Sequence, residues 1–346
     1  MDVGKIIDGL SSYDGRELKL MEVCGTHTAA IFKHGIRELI SPRIRLISGP
    51  GCPVCVTPTA FIDACIDFAK RPEGELFTFG DMMKVPGTDG SLSENKDDAD
   101  ITVMYSPFEA LRRAQEAPDK LIGVAAVGFE TTAPAYALMV KEARKLGVKN
   151  LRLITALKTA IPALRWICEN QEDVDGFICP GHVSVITGVR VYDELAEKYR
   201  RPFVVSGFEA EHILAAIYRI VHQIQDGEGK TENLYRNAVE DEGNPKALAV
   251  MDEVFETGPA MWRGLGQIED SGLYLKGEYA AFDGGSRQLF QDMELPEACR
   301  CGDVIVGRID PNECPMFGKG CDPMDPYGPC MVSAEGSCGI WYRNTY

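Results

Sequence analysis

The chain repeats one hydrophobic rhythm through its middle. An unbroken apolar run is followed by a turn rich in glycine and proline. A segment then follows whose apolar residues recur every three or four positions. IRLISG leads into PGCPVCVTP, a helix near 59–69 and then ELFTFGD. KLIGVAAVGF leads into ETTAP, the helical AYALMVKEARKLG and LRLITAL. GFICPGHVSVITG leads into a helix through VYDELAEKYR and then PFVVSGF. Runs without strict alternation are those of strands buried on both faces, and their alternation with helices predicts parallel sheets covered by helices. The turns then fall at the carboxyl ends of the strands, where open α/β sheets place their sites.

The expected architecture is α/β, with two Rossmann-like βαβ lobes and a cysteine-rich iron–sulfur domain. The first lobe spans 25–145 and the second 146–225, divided at the LGVKN turn. Residues 226–346, with 1–24, are expected to form a helical, cysteine-rich domain holding the cluster. ENLYRNAV within that stretch has helical spacing, and from Met261 onward the strand–helix rhythm gives way to glycine, proline and cysteine.

Composition narrows the function. The 346 residues are 45% hydrophobic and 25% charged, ordinary for a soluble globular protein. A formal charge of −16 lacks the positive footprint that nucleic-acid binding needs. The opening MDVGKIIDGLSSYDG has no apolar core of a signal peptide, and no apolar run is long enough to span a bilayer. The expected compartment is the cytoplasm, where thiols stay reduced. Twelve cysteines there point to metal or redox chemistry rather than structural disulfides.

Six of those cysteines crowd the tail: Cys299, Cys301, Cys314, Cys321, Cys330 and Cys338. They exceed by two what a four-iron cluster needs, so four ligands plus a redox pair is the simplest reading. Zinc would favour two close C-x-x-C knuckles, and the tail has none. Upstream, Cys52-Pro53-Val54-Cys55 lies between a predicted strand and a predicted helix, where the helix dipole would acidify the thiols. Such a pair can close a disulfide or share a metal. In Glu22-Val23-Cys24-Gly25-Thr26-His27, a turn exposes the Cys24 thiol. His27 could bind iron, deprotonate Cys24 or bond a main-chain carbonyl, the commonest fate of a lone histidine. GFETTAP (Glu130, Thr131, Thr132) and CPGHVSVITG (His182) occupy equivalent turns able to hold an anion or small polar ligand, and neither matches a nucleotide-binding pattern. Cys65, Cys168 and Cys179 read as core.

CGTH, GPGCPVCVTP, FTFGDMMKVPG, VGFETTAP, CPGHVSVITG and the CRCGDVIVG…CPMFGKGC…GPCMVSAEGSC tail occur in one order over nearly the whole chain. In this the chain resembles the HypD family of hydrogenase maturation factors. The resemblance implies a scaffold and redox protein that builds the Fe(CN)2CO moiety of [NiFe]-hydrogenases. A small chaperone, HypC, shares the Fe(II), and HypE delivers cyanide as thiocyanate. It implies that Cys24 holds that iron and that Cys52 and Cys55 form the facing redox or iron-handling pair. The tail resembles the cluster site of ferredoxin–thioredoxin reductase. That implies Cys299, Cys314, Cys321 and Cys338 as [4Fe–4S] ligands and Cys301 with Cys330 as the redox pair. A free-standing thiol–disulfide reductase of that type is the alternative. The family usually has Glu after CGTH, where this chain has Thr28. A monomer forming transient heterocomplexes is expected.

Overall fold

The computed structural model describes residues 2–289 and 298–345. Two sheets, both wholly parallel, carry the site. The first runs, edge to edge, Thr231–Asn233, Phe203–Ser206, Gly176–Pro180, Leu18–Glu22 and Ile44–Ser48. The second runs Ile101–Val103, Gly74–Thr78, Leu121–Gly128 and Leu151–Leu157. The apolar runs read from the sequence are all strands here, and the helix after the CPVC turn is Thr59–Ala69.

The strands are not shared out in chain order. The chain begins in the first sheet, crosses to the second after Ser48, and returns after Leu157. A division at 145/146 would separate Leu121–Gly128 from Leu151–Leu157, which pair along seven residues from Ile122 to Gly128. It would also part Leu18–Glu22 from its neighbour Gly176–Pro180. Nor do residues 1–24 belong with the tail, because Leu18–Glu22 sits inside the first sheet. That strand is only five residues long and carries Lys19 and Glu22, so its apolar signal is weak. ENLYRNAV is no helix: Thr231–Asn233 adds an edge strand and turns follow. HVSVIT, read as part of a strand-to-helix turn, is itself the helix Gly181–Thr187. Met261 lies in an antiparallel hairpin, Phe255–Trp262 with Gly266–Leu275.

Packing explains why lobes drawn along the chain fail. A central core joins Met21 and Ile47 of the first sheet, Ala125 and Ile154 of the second, and Val304, Met331 and Trp341 of the tail. Separate clusters cover the outer faces, around Tyr136 and Leu153 on one sheet and Leu20 and Ile217 on the other. The tail runs through the short helices Cys301–Ile305, Pro329–Val332 and Ser337–Thr345. It docks through Trp341, edge-on to Phe32 at 5.0 Å and under the Arg37 guanidinium at 5.1 Å. Among the described residues no helix is long and apolar enough to cross a membrane.

Candidate metal and redox centre

Cys24 follows the strand Leu18–Glu22, which has the next strand of its sheet, Ile44–Ser48, on one side and the much later Gly176–Pro180 on the other. It thus sits at a switch point of the sheet, outside the strand carboxyl ends, where α/β folds open a crevice. It is the N-cap of helix Gly25–Lys33. The dipole does not decide its charge state. Burial pushes the thiol up to about 11, against hydrogen bonding from Thr26. Deprotonation would have to accompany metal binding.

Two glycines let other segments reach this turn. A Cβ on Gly51 would lie 2.5 Å from the Cys24 nitrogen, and one on Gly25 would lie 2.2 Å from the Glu335 carbonyl oxygen. Both the CPVC loop and the tail therefore pack against the Cys24 turn backbone to backbone. Behind it Glu22 is buried. Its carboxyl accepts from the Cys24 N–H at 3.1 Å and from the Thr28 hydroxyl, and burial raises it to about 7. The sequence reading passed over Glu22 and Glu335. The signal for Glu22 was a carboxylate ending an otherwise apolar strand; for Glu335 it was an acid between two tail cysteines.

Cys52 and Cys55 share a tight turn in which the Cys55 N–H donates to Cys52 Sγ at 3.3 Å. The expected place at a helix N-terminus is not what the chain adopts. The helix begins only at Thr59, because Pro58 and the turn at 53–56 intervene. Neighbouring thiols supply the polarisation instead. Burial pushes both thiols up, but hydrogen bonds from Cys330 and Cys52 outweigh it at Cys55, which falls to about 6. Cys52 rises, through burial and its place beside Cys55.

His27 is fully buried. Its Nε2–H donates to the Gly207 carbonyl at 3.1 Å, and burial lowers it to about 4, so the ring is neutral. Of the three roles open to it from sequence, the carbonyl bond is the one the structure contains. His182, exposed, lies over the same Phe208 ring at 4.2 Å, while His27 is at 4.8 Å. Glu130 is buried too. Its Oε1 accepts from the Ala160 N–H at 2.8 Å, its Oε2 has no partner, and burial raises it to about 7. It pins the GFETT turn to helix Ala160–Asn170 and does not line the Cys24 cavity.

Three cavities join these parts. One of about 240 Å³ holds Cys24 with Thr131, Thr132, His182 and Glu335. A smaller one is lined by Cys52, Cys55, Cys330 and, again, Glu335. A third is lined by all six tail cysteines, Cys330 among them. Cys330 hydrogen-bonds Cys301, Cys338 and Cys55, and these bonds, with burial, raise its thiol. Cys299 is the one partly exposed cysteine, and burial still lifts it to about 12. All twelve cysteines are free thiols. Cys65, Cys168 and Cys179 are buried apart from these cavities.

The donor set suits a four-iron cluster. Thiols converge on one cavity, and main-chain N–H groups donate to two of them: Arg300 to Cys314 Sγ at 3.4 Å and Tyr327 to Cys321 Sγ at 3.2 Å. The cavity that these thiols line is small, about 10 Å³. Among the described residues no three His, Cys, Asp or Glu side chains converge as ligands of one ion would. Cluster ligands each bind a different iron and stand farther apart.

Comparison with known proteins agrees with the motif order. The family model HypD, described as the hydrogenase formation hypA family, matches residues 3–345. The hydrogenase maturation factor HypD of Escherichia coli K12 is 42% identical over 333 residues, covering 95% of this chain and 89% of that protein. HypD of Rhodobacter capsulatus is 40% identical over 351 residues, covering 99% and 93%. The hydrogenase expression/formation protein HupD of Azotobacter chroococcum is 40% identical over 338 residues, covering 94% and 89%. With a family model spanning nearly every residue and relatives alike over almost their whole length, the chain belongs to the HypD family of hydrogenase maturation factors.

Proposed function

We propose that this chain is the scaffold on which the Fe(CN)2CO moiety is assembled, with a relay of thiols supplying the electrons. The observation that carries the reading is a row of three cavities that share walls: Pro50 and Glu335 line both the Cys24 cavity and that of Cys52 and Cys55, and Cys330 lines both the latter and the cavity of the tail thiols. Cys24 holds the cargo iron jointly with a HypC-type chaperone, and a HypE-type partner brings cyanide as a thiocyanate. Thiolate and cyanide are strong partners for low-spin Fe(II).

Splitting a thiocyanate R–S–C≡N into a thiol and cyanide consumes two electrons. Cys52 and Cys55 supply them: both thiols give up a proton and an electron and close a disulfide, while R–S–C≡N becomes R–SH and HCN. The lowered Cys55 thiol is the one poised to attack, since the thiolate is the nucleophile. Cys330, hydrogen-bonded to Cys55, is placed to reopen that disulfide by exchange, with Cys301 as its partner. Cys299, Cys314, Cys321 and Cys338 would hold a [4Fe–4S] cluster, which supplies single electrons when bound. Glu335, present in both upstream cavities, stands where protons must pass.

The alternative, a general thiol–disulfide reductase, meets an obstacle. Cys52 and Cys55 are 6% and 2% exposed, so a protein disulfide has no path to them. It predicts turnover of exposed protein disulfides, and none is expected. The iron reading is tested by infrared spectroscopy of the anaerobic complex with the small chaperone. CN and CO bands are expected in the wild type and not in Cys24→Ala, with about four sulfides per chain in both but iron at about five in the wild type and about four in Cys24→Ala. Bands that persist in Cys24→Ala would overturn the assignment.

A further inference from the structure

The Cys24 cavity is unevenly furnished. Val23, Pro50, Pro53, Phe129 and Pro180 make walls whose side chains offer no hydrogen-bond donor. The GFETT turn is different. The Thr132 and Ala133 N–H groups are both spent on the Phe129 carbonyl, at 3.0 and 3.1 Å. Thr132 stands at the N-cap of helix Ala133–Lys145, yet its hydroxyl caps nothing. It lies 3.5 Å from the Thr131 hydroxyl. Both threonines line the cavity, and apart from their contact with each other neither hydroxyl is spent on the helix. The positive ends of two helices, of nine and thirteen residues, begin after Cys24 and Thr132, both of which line the cavity.

Carbon-bound cyanide keeps a lone pair and negative charge on nitrogen, so it accepts hydrogen bonds well. Bound CO has a weakly accepting oxygen and loses little against hydrocarbon. We propose that Thr131 and Thr132 hold the nitrogen ends of pseudohalide anions in this cavity, while the proline wall receives CO. The class of ligand is a small linear anion with a terminal nitrogen: cyanide on the cargo iron, or a thiocyanate on arrival. This deepens the scaffold reading and rests on it for the identity of the cargo. The polar end orients cyanide and the apolar end favours the neutral diatomic, so one cavity sorts ligands of nearly equal size.

The test uses the full chain and free thiocyanate, followed by its C≡N stretch on titration. Binding is expected in the wild type and about tenfold weaker in Thr131→Val/Thr132→Val, as loss of two hydrogen bonds predicts. Thr131→Ser/Thr132→Ser, which keeps both hydroxyls, restores it. In the iron-loaded partner complex the CN bands should shift in the valine pair and return in the serine pair, with the CO band moving less. Equal thiocyanate affinity in the valine pair, CN bands unmoved by it, or serine variants that fail to rescue would each overturn the proposal. A wild-type complex without any CN or CO band would instead strike the scaffold reading. The thiocyanate titration would still decide the role of the two threonines.

Discussion

Cys24 and the Cys52/Cys55 pair stand just beyond the carboxyl ends of parallel strands, clamped by backbone contacts that only glycine permits. The six tail thiols stand on turns and on helices of four, five and nine residues. One region is shaped by sheet hydrogen bonds and a shared apolar core. The other has little regular structure, and five of its six thiols are buried among apolar side chains such as Val304, Phe317 and Met331. The first should keep its form whether or not it carries iron; the second should depend on what its sulfurs bind.

The largest test of that contrast is removal of the cluster. Amide exchange across 298–345 should accelerate roughly a hundredfold, while the strands Leu20–Glu22 and Ile122–Gly128 keep their protection. Equal loss in both regions would show that the tail props up the sheets. Next is a pH signature confined to the dry face. Glu130 rises from 4.5 to about 7 because burial penalises its charge. Folding therefore favours the protonated form. That advantage is complete below about 4.5 and is lost as pH rises through 7. Glu130→Gln should flatten the stability profile between pH 5 and 8 and gain up to about 3 kcal/mol at the upper end. Unchanged pH dependence in thermal melts would refute it. Gly51→Ala should cost about 1–3 kcal/mol, since its Cβ meets the Cys24 nitrogen at 2.5 Å and the main chain must move. A melting temperature equal to wild type would mean that this clamp is looser than it looks. Smallest of all, Cys24→Ala should change stability by about 1 kcal/mol or less, in contrast to its decisive effect on bound iron.

The sequence carried the strand–turn–helix order faithfully, since unbroken apolar runs such as LIGVAAVG can hardly be anything but buried strands. It could not carry which strands pair. Leu18–Glu22 was missed because two of its five residues are charged, yet one of those, Glu22, is the carboxyl beneath Cys24. The thiols were legible because so many in one compartment need a reason. The dipole argument for Cys52 and Cys55 misjudged the local geometry: three residues, the last of them Pro58, separate Cys55 from the helix. No spacing rule could have brought Glu335 to Cys24, since tertiary packing alone does that.

Thr26 and Glu335 meet at 3.4 Å across 309 positions of chain. During synthesis the cavity around Cys24 lacks the Glu335 part of its lining until a segment made 309 residues after Thr26 has left the ribosome. A nascent chain therefore presents Cys24 to solvent and to stray metal long before it can enclose a cargo. Chains stalled before Glu335 should fold their sheets yet fail to retain iron with CN and CO, as infrared spectra of ribosome-released fragments would reveal. The contact makes competence wait on a segment made long after Cys24 itself.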